Sequence, residues 1–470
     1  MSTPSAPVDH QFALLRTRRF LPFFITGFLG ALNDNVFKNA LVIVLAYRGG
    51  SLLGLSGPIL INLAAVVFIL PYVFLSASAG QWSDKFQKPR LMRWVKLAEV
   101  AIMAIGVVGF IGSRVDLLFL TLLLMGCHST IFGPAKYALM PQQLHPAELI
   151  GGNGLVELGT FAAILIGTVL GGGLVASHEV GVLPISLATL LIALAGYISA
   201  RWIPDAPAAD PGLRLNPNPL SETWRNLRSA ARDRTMLLAL LANSWFWFYG
   251  ACFLTQFPSW TREFLGGDET VTTLLLAALS FGIGIGSLAC ERLSRRGLNL
   301  GLVPAGLAGM VLLAWLLPLT GPDLPLQTAA GVAAGYGKMG VAGAASAHGV
   351  VQARLLGVTA FLQGPGIDTL VMLIGMGVAC GLYVVPLYAL VQSRADPREV
   401  SRMIAANNVL NAVFMVVSSA LAILMFANGA TIPQVFQACA LATLVFLGVL
   451  CWLAPEFPRA LRAWWRPVTG

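Results

Sequence analysis

Long apolar runs, each closed by a charged, Gly-bearing or Pro-bearing break, follow one another along nearly the whole chain. Their length and spacing predict helices near residues 20–47, 58–80, 91–113, 117–139, 151–177 and 180–203. A second set is predicted near 235–263, 270–292, 299–319, 367–392, 400–427 and 432–456. A helix needs roughly 20 mostly apolar residues to cross a bilayer, and these runs have that length. They are too long for the strands of a closed barrel, the other architecture that satisfies every backbone group in lipid. Between the two sets, residues 204–234 are polar, Pro-rich and basic, which suits a linker kept in water. The chain is therefore expected to be an all-α integral membrane bundle of about twelve transmembrane helices in two six-helix halves. The halves are residues 1–203 and 235–456, joined by the linker 204–234 and followed by a tail at 457–470.

One segment departs from this plan. Residues 320–366 are Ala- and Gly-rich and only moderately apolar, with Lys338, His348, Arg354 and Gln363 spread through them. An added helix pair and an external amphipathic or re-entrant segment would both keep the downstream orientation; the second is the expectation.

Composition narrows the class. With 57% hydrophobic and 11% charged residues and a mean hydropathy of +0.76, a string of soluble domains is excluded. The six cysteines lie in or beside apolar runs without CxxC or CxxH spacing, so neither a disulfide framework, a zinc site nor any other metal or cofactor is expected. Residues 1–19 are polar and end in Arg16, Arg18 and Arg19 directly before the first apolar run, as in a retained signal anchor. With the N-terminus inside, 23 of the 30 basic residues fall on cytoplasmic segments, including 85–96, 201–234 and 394–402. Five fall outside, and Lys38 and Lys136 lie within helices. The net charge of +9 thus reads as membrane topology. It gives no reason to invoke nucleic acid, although basic loops also favour anionic membrane lipids.

Ionisable groups inside spanning helices are costly and normally face a cavity or a partner. The first helix carries NDNVFKN, Asn33 to Asn39, in which Asp34 and Lys38 share one face and Asn35 and Asn39 another. Self-pairing of Asp34 and Lys38 would explain two charges but not the asparagines beside them. The fourth helix ends IFGPAKYAL and the fifth begins GGNGLVELGT. Lys136, Tyr137, Asn153 and Glu157 then start at similar depth, and a Lys136–Glu157 pair is expected, either structural or broken as a gate opens. The Gly-rich end of the fifth helix lacks GKS or GKT and reads as close helix packing rather than a phosphate loop. In the second half, Gln256 of the seventh helix and Asn407 and Asn411 of the eleventh are expected to reach a central cavity. Trp245, Trp247 and Tyr249 read as packing or lipid-facing aromatics.

The stretch GQWSDKFQKPRLMR, Gly80 to Arg93, lies between the second and third helices. It resembles the signature of the major facilitator superfamily, with Phe86 and Pro89 as departures. Gly80 would allow close helix approach, and Asp84 would act on a helix N-terminus and pair with Arg90 to hold the cytoplasmic side shut. NDNVFKNAL, FGPAKYALMPQQL, GGNGLVELGT and YVVPLYALVQ together resemble the bacterial lysophospholipid transporters of that superfamily, across nearly the whole chain. The resemblance implies a flippase moving lysophosphatidylethanolamine and lysophosphatidylglycerol across the bacterial inner membrane by alternating access. A cytoplasmic acyltransferase/acyl-carrier-protein synthetase would reacylate them, and the transporter is expected to act as a monomer. The family's embedded acid, lysine and glutamate look to fall on Asp34, Lys136 and Glu157. Its helix-seven arginine has no match, since Leu254 or Gln256 stands there, and Lys38 is the inferred substitute. The alternative is a proton-coupled major facilitator exporter of amphipathic small molecules. Acyltransferase chemistry is not expected, because none of the five histidines has an Asp five residues later.

Overall fold

A computed structural model describes residues 9–45, 52, 57–176, 182–294, 297–320, 355–364 and 366–465. Most of the segment expected as an insertion, 321–354 together with 365, lies outside the described residues. The first half consists of α1 (Leu21–Ile43), α2 (Gly57–Lys85), α3 (Lys88–Ile111), α4 (Val115–Gln143), α5 (Leu149–Ala176) and α6 (Leu183–Arg201). The second consists of α7 (Arg234–Glu263), α8 (Glu269–Leu293), α9 (Leu302–Leu316), α10 (Gly366–Arg394), α11 (Val400–Ala427) and α12 (Ile432–Leu453).

Eleven helices among the described residues are long and apolar enough to cross a membrane. The twelfth, α1, has spanning length at 23 residues, but its cluster of asparagines with Asp34 and Lys38 lowers its apolarity. The chain is a multi-pass membrane protein. Local chemistry sets the helix starts. Asp233 accepts from the backbone of Thr235 and Met236 to cap α7, and Thr431 with Gln434 forms a capping box on α12. Asp268 caps α8; the Thr270 hydroxyl and nearby backbone N–H groups hold its carboxyl below the usual carboxylate range.

Two boundaries differ from the expectation. α2 continues through Gly80 and Asp84 to Lys85, so the signature lies largely on helix; only Phe86 and Gln87 form the turn, and Pro89 occupies the first turn of α3. The linker is not wholly irregular. Residues Pro219–Ala230 form a helix capped by the Asn218 side chain and packed against α2 and α11.

The halves meet mainly through α2 against α11 and α5 against α8. Lys85–Arg93, the linker, Arg394–Arg402 and the final helix Glu456–Trp465 gather at one end, here termed the basic face, and are tied by Arg93–Asp205, Arg394–Glu456 and Arg402–Asp210 ion pairs. Near this face Gly154 of α5 approaches α8 so closely that a Cβ would lie 2.5 Å from the Ser287 carbonyl oxygen. Immediately before it, Asn153 exchanges side-chain hydrogen bonds of 2.6 and 3.2 Å with Gln392, between α5 and α10. Both amides are buried.

Leaving a buried amide unpaired costs about 1–3 kcal/mol. Asn153→Leu is therefore expected to lower the thermal unfolding midpoint in detergent, and the Asn153→Leu/Gln392→Leu double variant to recover part of the loss. Strictly additive losses would show that the two amides do not stabilise one another.

Candidate functional site

Midway along the bundle, α1, α2, α4, α5, α7, α10 and α11 enclose a cavity of about 380 Å³. Three of its charges come from two helices. Asp34 and Lys38 project from α1, and Lys136 from α4. Asp34 lies about 20 Å along α1 from Leu21 at 1.5 Å per residue. Its carboxylate accepts a 2.6 Å hydrogen bond from Ser129. Lys38 is not bonded to it; its ammonium sits 4.3 Å from the centroid of Phe68, a cation–π contact that replaces part of its lost hydration.

Lys136 and Glu157 do not form the expected pair. Lys136 donates to Thr160 at 3.3 Å and lies over the Tyr137 ring, whereas the Tyr137 hydroxyl donates to Glu157 at 2.7 Å. The residue next in sequence captures the carboxylate because α4 turns Tyr137, and not Lys136, toward it. Tyr137 also stacks flat on Tyr388 of α10, with ring centroids 4.3 Å apart, so this contact joins the halves.

The other expected site residues divide. Asn35 and Asn411 line the cavity. Turned so that its oxygen meets a donor, the Asn411 amide accepts from Trp247 at 3.1 Å and donates to Ser244 at 2.8 Å. Asn407 is buried behind Asn411 and does not line the cavity; Asn408, one position on, does. Asn153 serves the contact between the halves. Gln256 does not line the cavity: it is half-buried, donates to Thr255, and belongs to the stretch of α7 farther from the basic face. Trp247, read from sequence as a packing aromatic, lines the cavity; Trp245 stacks on Phe446 and Phe248 as a packing residue.

A second hollow adjoins the first. It has a volume of about 180 Å³, lies among α5, α7, α8 and α10, and is walled mainly by Phe161, Leu165, Phe253, Leu254, Leu279 and Ile283. Ile164, Trp247 and Met415 line both spaces, so a polar chamber opens beside an apolar one. Leu254, one of the two residues in place of the expected arginine, belongs to the apolar wall.

Toward the basic face the cavity is closed. Asp84, at the last turn of α2, is wholly buried and meets the N-terminus of α11. Its carboxylate accepts from the backbone N–H groups of Ser401 and Arg402, each at 3.2 Å, and from Arg402 Nε at 3.1 Å. Lys88 stands 3.8 Å away. Arg90, the partner expected from sequence, is exposed and points elsewhere, because α3 restarts at Lys88 and turns that position outward. Gly80 makes the approach possible: a Cβ there would lie 2.6 Å from that of Ala405.

Sequence reasoning also missed Lys96, Glu99 and His128, which form a buried group behind Asp34. Lys96 was counted with the basic loop, yet it is wholly buried on α3. A glutamate three residues later, inside an apolar run, was the available signal.

Comparisons with known proteins bear on the fold and the family. The profile of the Major Facilitator Superfamily matches residues 23–367. A lysophospholipid transporter LplT of Serratia proteamaculans (strain 568) is 30% identical over 294 residues, covering 62% of this chain and 69% of that protein. That of Escherichia coli O7:K1 (strain IAI39 / ExPEC) is 30% identical over 300 residues, covering 62% and 71%. Among solved structures, the human organic anion transporter MFSD10 (TETRAN) aligns with a TM-score of 0.68 at 13% identity, covering 92% of this chain and 99% of that one. FucP, a major facilitator transporter in the outward conformation, aligns at 0.66 with 12% identity, covering 93% and 98%. Fold and site together define a membrane transporter of two six-helix halves around a central cavity. The chain belongs to the major facilitator superfamily and, within it, to the lysophospholipid transporter family.

Removing one partner of a buried ion pair costs roughly 3–5 kcal/mol, because the other charge stays buried. Arg402→Ala is therefore expected to open the basic face. In a background lacking the native cysteines, Ser401→Cys should resist a water-soluble maleimide with Arg402 present and react at least about tenfold faster without it. Equal rates would show that Asp84 and Arg402 do not hold the closure.

Proposed function

We propose that this transporter moves lysophospholipids between the leaflets of a bacterial inner membrane, with both termini on the cytoplasmic side. The observation that carries the reading is the pair of adjoining hollows. A lysolipid joins a phosphate-bearing headgroup to one acyl chain, and the cavity offers Lys38, Lys136 and Asp34 next to an apolar crevice among α5, α7, α8 and α10. The phosphate would be drawn to the lysines and an ammonium, where present, to Asp34. The acyl chain would lie in the crevice or in the lipid beyond it, which avoids dragging it through a polar chamber. Support also comes from the relatives, which are described as lysophospholipid transporters.

The closure at Asp84 fits one state of an alternating-access cycle, in which the halves rock about the contacts of α2 with α11 and α5 with α8. The basic face would be cytoplasmic by the positive-inside rule. Lysolipid delivered there would be available to a cytoplasmic acyltransferase coupled to acyl-carrier-protein synthetase activity.

Uptake of labelled lysophosphatidylethanolamine into spheroplasts lacking their own transporter tests the reading. Asp34→Ala and Lys136→Ala should each lower uptake about tenfold or more at equal protein level, the effect of about 1.4 kcal/mol of lost binding. Uptake indifferent to both would remove the cavity from the pathway; export of amphipathic compounds unaffected by lysolipid would favour the exporter.

The crevice makes a separate prediction. Leu279→Trp should fill it and reduce transport of long-chain lysolipid about fivefold, while a short-chain analogue is moved nearly as before. Equal loss for both chain lengths would place the acyl chain elsewhere.

A further inference from the structure

At the basic face a hollow of about 530 Å³ opens between the linker helix Pro219–Ala230 and the start of α11. Arg225, Arg228 and Ser229 reach it from one side of the linker helix, being three or four residues apart. Arg232 enters from the turn before α7, and Glu399 and Arg402 enter from the start of α11.

The four arginines are not equally engaged. Arg225 pairs with Glu222 at 2.7 Å, and Glu399, the one carboxylate among the lining residues, accepts from Ser229 at 3.1 Å. Arg402 directs Nε to Asp84 and Nη2 to the Arg398 carbonyl at 2.8 Å, which leaves Nη1 without a hydrogen bond among the described residues. Arg228 and Arg232 are exposed and form no ion pair among the described residues. Asn226 also lines the hollow; it is 3% exposed, and its buried Nδ2 has no hydrogen-bond partner. An unpaired amide donor calls for an acceptor, and guanidinium groups with free N–H bonds match the oxygens of a phosphate. The chemistry that meets all of these groups at once is a phosphate ester carrying negative charge.

The linker helix indicates where such a group comes from. Leu220 and Trp224, 66% and 69% exposed, stand one turn apart beside its arginine side. The helix packs on α2 and α11, two spanning helices, at the basic face. An amphipathic helix that turns Trp and Leu outward at the ends of spanning helices lies at the headgroup level of a bilayer. A phospholipid of that leaflet has its phosphate at the height of the hollow.

We propose that this hollow binds the phosphate of an anionic phospholipid from the leaflet at the basic face, and that the bound headgroup holds the closure shut. The site is separate from the central cavity, and the inference does not depend on what that cavity transports. Gln81 of α2 ties the linker to the first half, exchanging bonds of 2.6 and 3.1 Å with the Asn216 backbone, whereas Arg402 belongs to the second half. A phosphate held by Arg228, Arg232 and Arg402 bridges the halves, and does so while α11 stays against the linker. A ligand that binds one state alone raises the population of that state, about tenfold at ten times its dissociation constant.

Ser401→Cys, in the background lacking the native cysteines, reports the closure through its rate with an uncharged maleimide. In nanodiscs, replacing about a third of neutral phosphatidylcholine by phosphatidylglycerol should slow labelling about fivefold or more. Arg228→Gln/Arg232→Gln should bring the rate back to within about twofold of that in phosphatidylcholine, and the exposure of both residues keeps the fold intact. Arg201→Gln/Arg214→Gln removes the same charge from exposed positions outside the hollow and should leave the slowing in place. Millimolar inorganic phosphate is added to phosphatidylcholine discs in parallel. Slowing by phosphate but not by phosphatidylglycerol overturns the lipid source in favour of a soluble ligand. Slowing by neither, or slowing that both double variants lose alike, overturns the site. Where labelling is negligible in every disc, native mass spectrometry in detergent decides. The wild type should retain more phosphatidylglycerol than Arg228→Gln/Arg232→Gln, and equal retention overturns the proposal.

Discussion

A carboxylate removed from water must be given its hydrogen bonds by the protein, and Asp84 receives its bonds from the opposite half of the molecule. The first backbone N–H groups of a helix lack intrahelical partners and carry the positive end of its dipole. α11 presents two such groups to Asp84 and adds the Arg402 side chain. The Asp84 backbone carbonyl, in turn, accepts from Asp210 of the linker. One residue at the end of α2 therefore fixes the second half and the connection between halves. The arrangement is also reversible, because a helix N-terminus opened to water is solvated at little cost, unlike a severed apolar contact in a packed core. Gly80 is small for the same reason, since any side chain there would hold α2 away from α11.

Once that end is shut, the remaining space is set by which side chains the helices turn inward. α1 and α4 bring charge, while α5, α7 and α8 bring aromatic and aliphatic groups. The division is not even between the halves. The three cavity charges described above come from the first half, and the second half contributes amides, Trp247 and Tyr388. A headgroup would thus be held chiefly by one half and released as the other moves, which requires few strong contacts to be broken at once.

Much of this was legible in the residues. Apolar runs of spanning length located the twelve long bundle helices among the described residues, because lipid leaves no alternative to internal backbone bonding. Asp34, Lys38 and Lys136 stood out for the same reason: a charge in such a run demands an explanation. What could not be read was partnership. Sequence spacing offered Arg90 to Asp84 and Lys136 to Glu157, both close in the chain, whereas the fold supplied Arg402, 318 residues away, and Tyr137. Lys96 was hidden by its position near a basic loop, where charge counting treats every lysine alike. Gln256 was drawn into the site by polarity alone, although the rotation of α7 turns Trp247 and not Gln256 to the cavity.

Tyr137 links the cavity to the closure. Its neighbour Lys136 lines the chamber, its hydroxyl binds Glu157, its ring stacks on Tyr388, and its backbone carbonyl accepts from Gln392 at 3.1 Å. Gln392 is at the same time the partner of Asn153. Separating the halves at the basic face must break the ring stack and the Gln392 bonds together, since all of them cross from the first half to α10. A charge arriving at Lys136 changes the field at the residue on which those contacts converge. The fold thus needs no long pathway between substrate and gate, because one turn of α4 carries both.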